Sequence, residues 1–207
     1  VHHRNAAAGV FADPRAELVE WLPHEAEPPP LDEFDAALLL GAEAQVDQED
    51  SVPWLRGEKQ VVRELLERGR PVLGVCFGSQ LLAEALGGEV RAAAEAEVGW
   101  HDVALTPEGR ADPLLGFLPQ RFASLQWHSY EWLLPPGGVA LARSARCLQA
   151  FRHGIAWGVQ FHPEVTEADF GEWLDEFSDD PAAVRTGLDP EAVRAETAAR
   201  ISAWNDL

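Results

Sequence analysis

Two short runs of apolar residues each end at a turn rich in small residues, with a helical repeat between them. Asp35-Ala36-Ala37-Leu38-Leu39-Leu40 is apolar from Ala36 on and stops at Gly41. Val72-Leu73-Gly74-Val75 is the second run. Neither alternates with polar residues, which is the pattern of a strand covered on both faces. Between them Leu55, Val61, Val62, Leu65 and Leu66 fall at helical spacing, with Gly69 as a stop and Pro71 beyond it. A short helix is expected from Gln80 to Leu86, ended by Gly87-Gly88. Strand, helix, strand, helix in that order leads to a parallel sheet with helices on both faces.

The texture changes after residue 100. Strand-like runs are expected at 103–105, 139–142, 148–151 and 155–159, separated by Pro135-Pro136-Gly137-Gly138 and His153-Gly154. These read as an antiparallel portion returning to the sheet. After Pro163 the chain turns helical. Thr166 with Asp169 three residues on is an N-cap pair for a helix over 167–177, and Asp189-Pro190 opens a last helix to about Trp204. Pro28-Pro29-Pro30 is a stiff connector, not a domain linker. The expectation is one domain over 1–207, with 167–207 a C-terminal helical extension. With no Met anywhere and Val1 first, the start of the natural chain is left open.

Charge narrows the partners. Lys and Arg number 16 against 35 Asp and Glu, a formal charge of -19. Nucleic-acid phosphates call for a basic face, so no nucleic-acid partner is expected. No apolar run has transmembrane length and no signal-peptide pattern opens the chain, so no membrane association is expected. The two cysteines, Cys76 and Cys147, lack short-spaced metal-ligand partners. No disulfide, metal or cofactor is expected, and cytoplasmic residence is the default.

The chemistry concentrates at Gly74-Val75-Cys76-Phe77-Gly78. A buried strand runs into a Cys with Gly two residues away on each side, and a helix follows at once. This is the logic of a nucleophile elbow with Cys in place of Ser. The helix N-terminus beneath it favours the thiolate, the reactive form. A Cys nucleophile needs a base, and the base needs an orienting group. Val159-Gln160-Phe161-His162-Pro163-Glu164 offers both: His162 at a strand end and Glu164 two residues on. Among the other histidines, His2, His3, His24 and His101 are expected at the surface and His153 in a turn. His128 is left open between a pocket wall and a hydrogen-bonded core residue. Cys147 lacks an elbow and is expected to be structural.

Gly74-Val75-Cys76-Phe77-Gly78-Ser79-Gln80 together with Phe161-His162-Pro163-Glu164 resembles the class I (triad-type) glutamine amidotransferases. The separation of Cys76 and His162, 162 - 76 = 86 residues, is similar to that family's. Leu40-Gly41 followed by Pro53-Trp54-Leu55 resembles small stand-alone members related to the glutaminase domain of GMP synthase. The resemblance spans roughly residues 31–166. It implies a flavodoxin-like, doubly wound α/β fold with a mostly parallel sheet, and a reaction that takes ammonia from glutamine. Cys76 would form a γ-glutamyl thioester, His162 would move protons and Glu164 would orient His162. Backbone N–H groups of Phe77 and the Gly41-Ala42 turn would hold the oxyanion. Gln80, Trp127, Ser129 and Tyr130 would contact glutamine.

Two departures stand out. Gly41-Ala42-Glu43 replaces the family's frequent Gly-Gly-Pro, and His128-Ser129-Tyr130 replaces His-Gly-Asp. The added methyl at Ala42 would matter if that position needed positive φ. No acceptor-binding domain is recognised in this chain, so a synthetase or acceptor-binding subunit is an expected partner. The alternatives are a stand-alone hydrolase of γ-glutamyl amides or peptides, and a non-catalytic regulatory protein that keeps the fold.

Overall fold

The computed structural model describes residues 1–3, 7–12 and 14–207. Seven strands form one sheet: β1 (Ala37–Leu39), β2 (Val72–Val75), β3 (Val90–Leu105), β4 (Arg121–Trp132), β5 (Val139–Arg143), β6 (Leu148–His153) and β7 (Ala156–Val159). Their spatial order is β1-β2-β7-β6-β5-β3-β4. The helices are α1 (Leu55–Glu67), α2 (Phe77–Ala85), α3 (Pro107–Arg110), α4 (Glu167–Phe177), α5 (Pro181–Thr186) and α6 (Pro190–Asn205). None of the described helices is long and apolar enough to cross a membrane.

The strand residues sort to the two faces with the period of two that a pleated strand imposes. Leu39, Val72, Phe151 and Ala156 pack on one face with Val61, Val62 and Leu65 of α1 and Phe77, Leu81 and Leu82 of α2. Leu40, Val75, Ala150 and Val159 pack on the other with Ile201 and Trp204 of α6. Both faces are therefore covered, the doubly wound arrangement that the two apolar runs predict. A third cluster, of Leu125, Val165, Phe170, Trp173 and Leu174, seats α4.

The balance of the sheet differs from the expectation. Only β1-β2 and β2-β7 are parallel; the pairings β7-β6, β6-β5, β5-β3 and β3-β4 are antiparallel. The antiparallel portion expected after residue 100 is present, and it outweighs the parallel one. The turns after β5 and β6 are too short for a crossover helix, so each strand must return antiparallel. β4 is not among the expected runs, and β3, expected only at 103–105, begins at Val90. Its first half, Val90 to Glu97, is rich in Ala and Glu, which carry little strand propensity. Pairing with β4 overrides that preference, through a register shift between Ala92 and Glu97.

The helix-start signals are met. Thr166 accepts from the Asp169 N–H and Asp169 caps Thr166 in return, a complete capping box for α4. Asp189 caps α6 with Pro190 at its first position. The same signal, Asp180-Pro181, opens α5.

Candidate active site

The parallel strands β1, β2 and β7 all end at one edge, and the residues after them meet there. Cys76 follows β2 with φ 49° and ψ -111°. It is the one non-glycine at positive φ among the described residues. Its N–H donates to the Val159 carbonyl on β7 at 2.8 Å. The flanking glycines are required by contact. A Cβ on Gly74 would lie 2.6 Å from the Gly78 carbonyl oxygen, and one on Gly78 would lie 2.2 Å from that of Leu39. The turn is thus pressed against its own helix and against β1.

The start of α2 leaves one backbone donor available. Ser79 and Gln80 donate their N–H groups to the Cys76 carbonyl, and Gly78 donates to Leu40. The Phe77 N–H has no hydrogen-bond partner among the described residues, as the first N–H of a helix commonly does. Gly41 and Ala42, just beyond β1, line the same cavity as Cys76. Ala42 is not at positive φ, so its methyl meets no backbone penalty there.

His162 is buried beyond the end of β7, with its N–H donating to the Leu125 carbonyl at 2.9 Å. Its Nδ1 lies 2.7 Å from Glu164 Oε1. The ring packs edge-on against Trp173 of α4, with centroids 4.8 Å apart. Nε2 is buried without a hydrogen-bond partner, as is Glu164 Oε2. Burial by itself would lower the His162 pKa. The Glu164 carboxylate and the charge on Cys76 outweigh burial and raise it to about 10.

Cys76, His162, Gly41, Ala42, Trp127 and Ser129 line one cavity of ≈ 320 Å³. That size lies in the range of small-molecule sites. Two expected contacts lie elsewhere. Gln80 is buried below the cavity rather than lining it, its Nε2 3.5 Å from the Tyr130 carbonyl. Tyr130 turns its hydroxyl to Asp47 Oδ2 at 3.0 Å and does not line the cavity. Glu43 and Asp180 do line the cavity.

Four neighbours were not foreseen. Gln160 donates from Nε2 toward Cys76 Sγ at 3.6 Å. Its signal was present, since it stands two residues before His162 and so on the same face. Trp173 and Phe177 of α4 wall the cavity, brought there by tertiary packing alone. His3 was expected at the surface but is buried, 3.1 Å from Glu58 Oε2 and against Trp54 and Phe77. Residues 1–3 run beside β1, with Leu40 donating to the Val1 carbonyl at 3.1 Å, and this carries His3 to the strand ends. His128 combines both of its readings. It lines the cavity, and both ring nitrogens are hydrogen-bonded in the interior.

A strand-turn-helix with a strained Cys, beside a histidine held by a carboxylate, is an arrangement shared by a class of α/β hydrolases and transferases. The profile of the family described as glutamine amidotransferase class-I matches residues 16–178, and the chain belongs to that family. The chain is 30% identical over 177 residues to the glutamine amidotransferase-like protein YfeJ of Salmonella typhimurium, covering 80% of this chain and 74% of YfeJ. It is 36% identical over 160 residues to the glutamine-hydrolyzing GMP synthase of Aeropyrum pernix, covering 75% of this chain and 31% of that enzyme. A crystal structure of a glutamine amidotransferase from Thermotoga maritima superposes with a TM-score of 0.80 at 28% identity, over 88% of this chain and 78% of that one.

Proposed function

We propose that the chain hydrolyses the side-chain amide of glutamine through a thioester on Cys76 and delivers ammonia to an acceptor. The observation that carries this reading is the meeting of Cys76, in its strained turn, with His162 held at 2.7 Å by Glu164, in one cavity. The Cys76 thiolate attacks the amide carbon. The developing oxyanion is met by the unengaged N–H of Phe77 and a donor from the Gly41-Ala42 turn. The His162 imidazolium gives its proton to the departing nitrogen, and ammonia leaves. His162, now neutral, takes a proton from water, which attacks the thioester and returns glutamate and the free thiol.

Glu164 holds Nδ1, so that Nε2 is the nitrogen available for proton transfer. Trp127 and Ser129 line the space for the glutamine carbon chain, while Gln80 and Tyr130 act from behind the wall through the Tyr130 carbonyl. The chain matches about a third of the length of a GMP synthase. A separate acceptor-binding subunit is accordingly proposed as its partner, with the reaction placed in the cytoplasm. The alternative substrate class is a γ-glutamyl amide or peptide. It is favoured by Ser129-Tyr130, since the Tyr130 side chain brings no carboxylate to the cavity.

Ammonia release from glutamine by the purified chain, run beside Cys76→Ala, tests the proposal. Release by the wild type alone supports it. A Cys76 that alkylates readily but releases nothing from glutamine moves the assignment to another γ-glutamyl amide. A Cys76 that does not alkylate sinks the nucleophile.

A further inference from the structure

At the His128 wall, two strands and a turn bring different donor atoms to one point. Glu97 of β3, His128 of β4 and Cys147, just before β6, place a carboxylate oxygen, a ring nitrogen and a sulfur within 4.8 Å of one another. Glu97 and His128 are buried and Cys147 is half-buried. His128 Nε2 lies 3.1 Å from Glu97 Oε2, and Cys147 Sγ lies 3.4 Å from the same oxygen. Gln149 Nε2 also reaches that oxygen at 2.7 Å, and Cys147 Sγ at 3.3 Å.

Hydrogen bonding alone leaves this arrangement strained. His128 Nδ1 is 2.9 Å from the Tyr130 carbonyl, which can only accept, so Nδ1 carries a proton. Nε2 reaches Glu97 Oε2 as well. That same oxygen is asked to accept from three groups, more than its lone pairs favour. Its partner Oε1 is engaged separately, with His101 Nδ1 and Arg146 each at 3.8 Å. A cation placed among the three atoms relieves that crowding. The separations suit it: bonds of about 2.0–2.3 Å give tetrahedral edges of about 3.3–3.6 Å. The Nδ1–H held by a backbone carbonyl is the usual support of a metal-bound histidine, and the Gln149 amide beside sulfur and carboxylate is a second such support.

We propose that Glu97, His128 and Cys147 form a binding site for one zinc-class divalent cation, with the fourth position left to water. The mixed sulfur, nitrogen and oxygen donors select this class over magnesium or calcium. A divalent ion also balances one carboxylate and one thiolate. The ion would tie β3, β4 and the β5–β6 turn together behind Trp127, His128 and Ser129. The proposal is independent of what Cys76 does.

The test is titration of the chelator-treated full chain with cobalt, followed by zinc competition. The expected result is one equivalent of cobalt with a thiolate-to-metal charge-transfer band. Cys147→Ser should abolish the band and weaken zinc by more than about tenfold, since loss of a ligand exceeds loss of a supporting contact. Cys76→Ala should keep both. Glu97→Gln, nearly unchanged in shape, gives a second measure of lost affinity should Cys147→Ser fold poorly. A band that disappears with Cys76→Ala, or zinc binding unchanged in Cys147→Ser and Glu97→Gln, overturns the proposal and leaves a hydrogen-bonded ion pair.

Discussion

At the scale of single residues, strain and charge are concentrated on Cys76 and His162. A non-glycine residue at φ 49° and ψ -111° costs on the order of 1–3 kcal/mol. Cys76→Gly should therefore be more stable than Cys76→Ala by roughly 1 kcal/mol in denaturant titration, after the entropy glycine gains on unfolding is set against the relief. Both should be inactive. His162 makes a different prediction. Its folded pKa lies above the ordinary 6.5, at about 10, with Glu164 and Cys76 as the raising causes. The protonated ring is thus favoured by folding. Its contribution to stability is fully present below about 6.5 and is lost as pH rises through about 10. The alkaline limb of kcat/KM should fall near that upper value. Glu164→Gln removes the principal raising charge, so the limb should move toward neutrality and kcat should drop by about 10²-fold or more. An alkaline limb unmoved in that variant would count against Glu164 as the orienting group.

At the scale of elements, the elbow works because β1, β2 and α2 approach closely. Gly78 shows how closely: its absent Cβ would sit 2.2 Å from a strand carbonyl, where no flexible side chain can yield. Gly78→Ala should cost at least about 2 kcal/mol and remove activity, read by thermal unfolding and ammonia release together. The contrast is Gly57 on α1, which has nothing within 4 Å of an added Cβ. Gly57→Ala should stabilise by about 0.5–1 kcal/mol, because alanine favours an exposed helix. The elements were legible in the sequence where local signals were strong. The capping box at Thr166 and the cap at Asp189-Pro190 fixed two helix starts. The first half of β3 was not legible, because its Ala and Glu residues favour another state and only pairing with β4 makes them a strand.

At the scale of the whole molecule, the C-terminal helices belong to the site rather than to an appendage. Trp204 of α6 stacks on Phe122, packs on Phe161 and donates from Nε1 to the His162 carbonyl at 3.3 Å. α6 lies beyond the family match, which ends at residue 178. Trp204→Ala should destabilise the fold by about 3–5 kcal/mol and lower kcat by loosening His162, and the two effects are separable by assaying below the unfolding transition. The sequence by itself determined the elbow, the His162-Glu164 pair and the alternation of apolar runs with helices, because each is a pattern within a few residues. It also carried the family. Tertiary structure alone decided that antiparallel pairings outnumber parallel ones, that His3 is buried, and that Trp173 and Phe177 wall the cavity. It alone gathered Glu97, His128 and Cys147, from two strands and a turn, around one point. Those outcomes depend on which distant segments pack together, and contacts across 50 or more residues, such as Cys147 with Glu97, leave no local trace in the order of the chain.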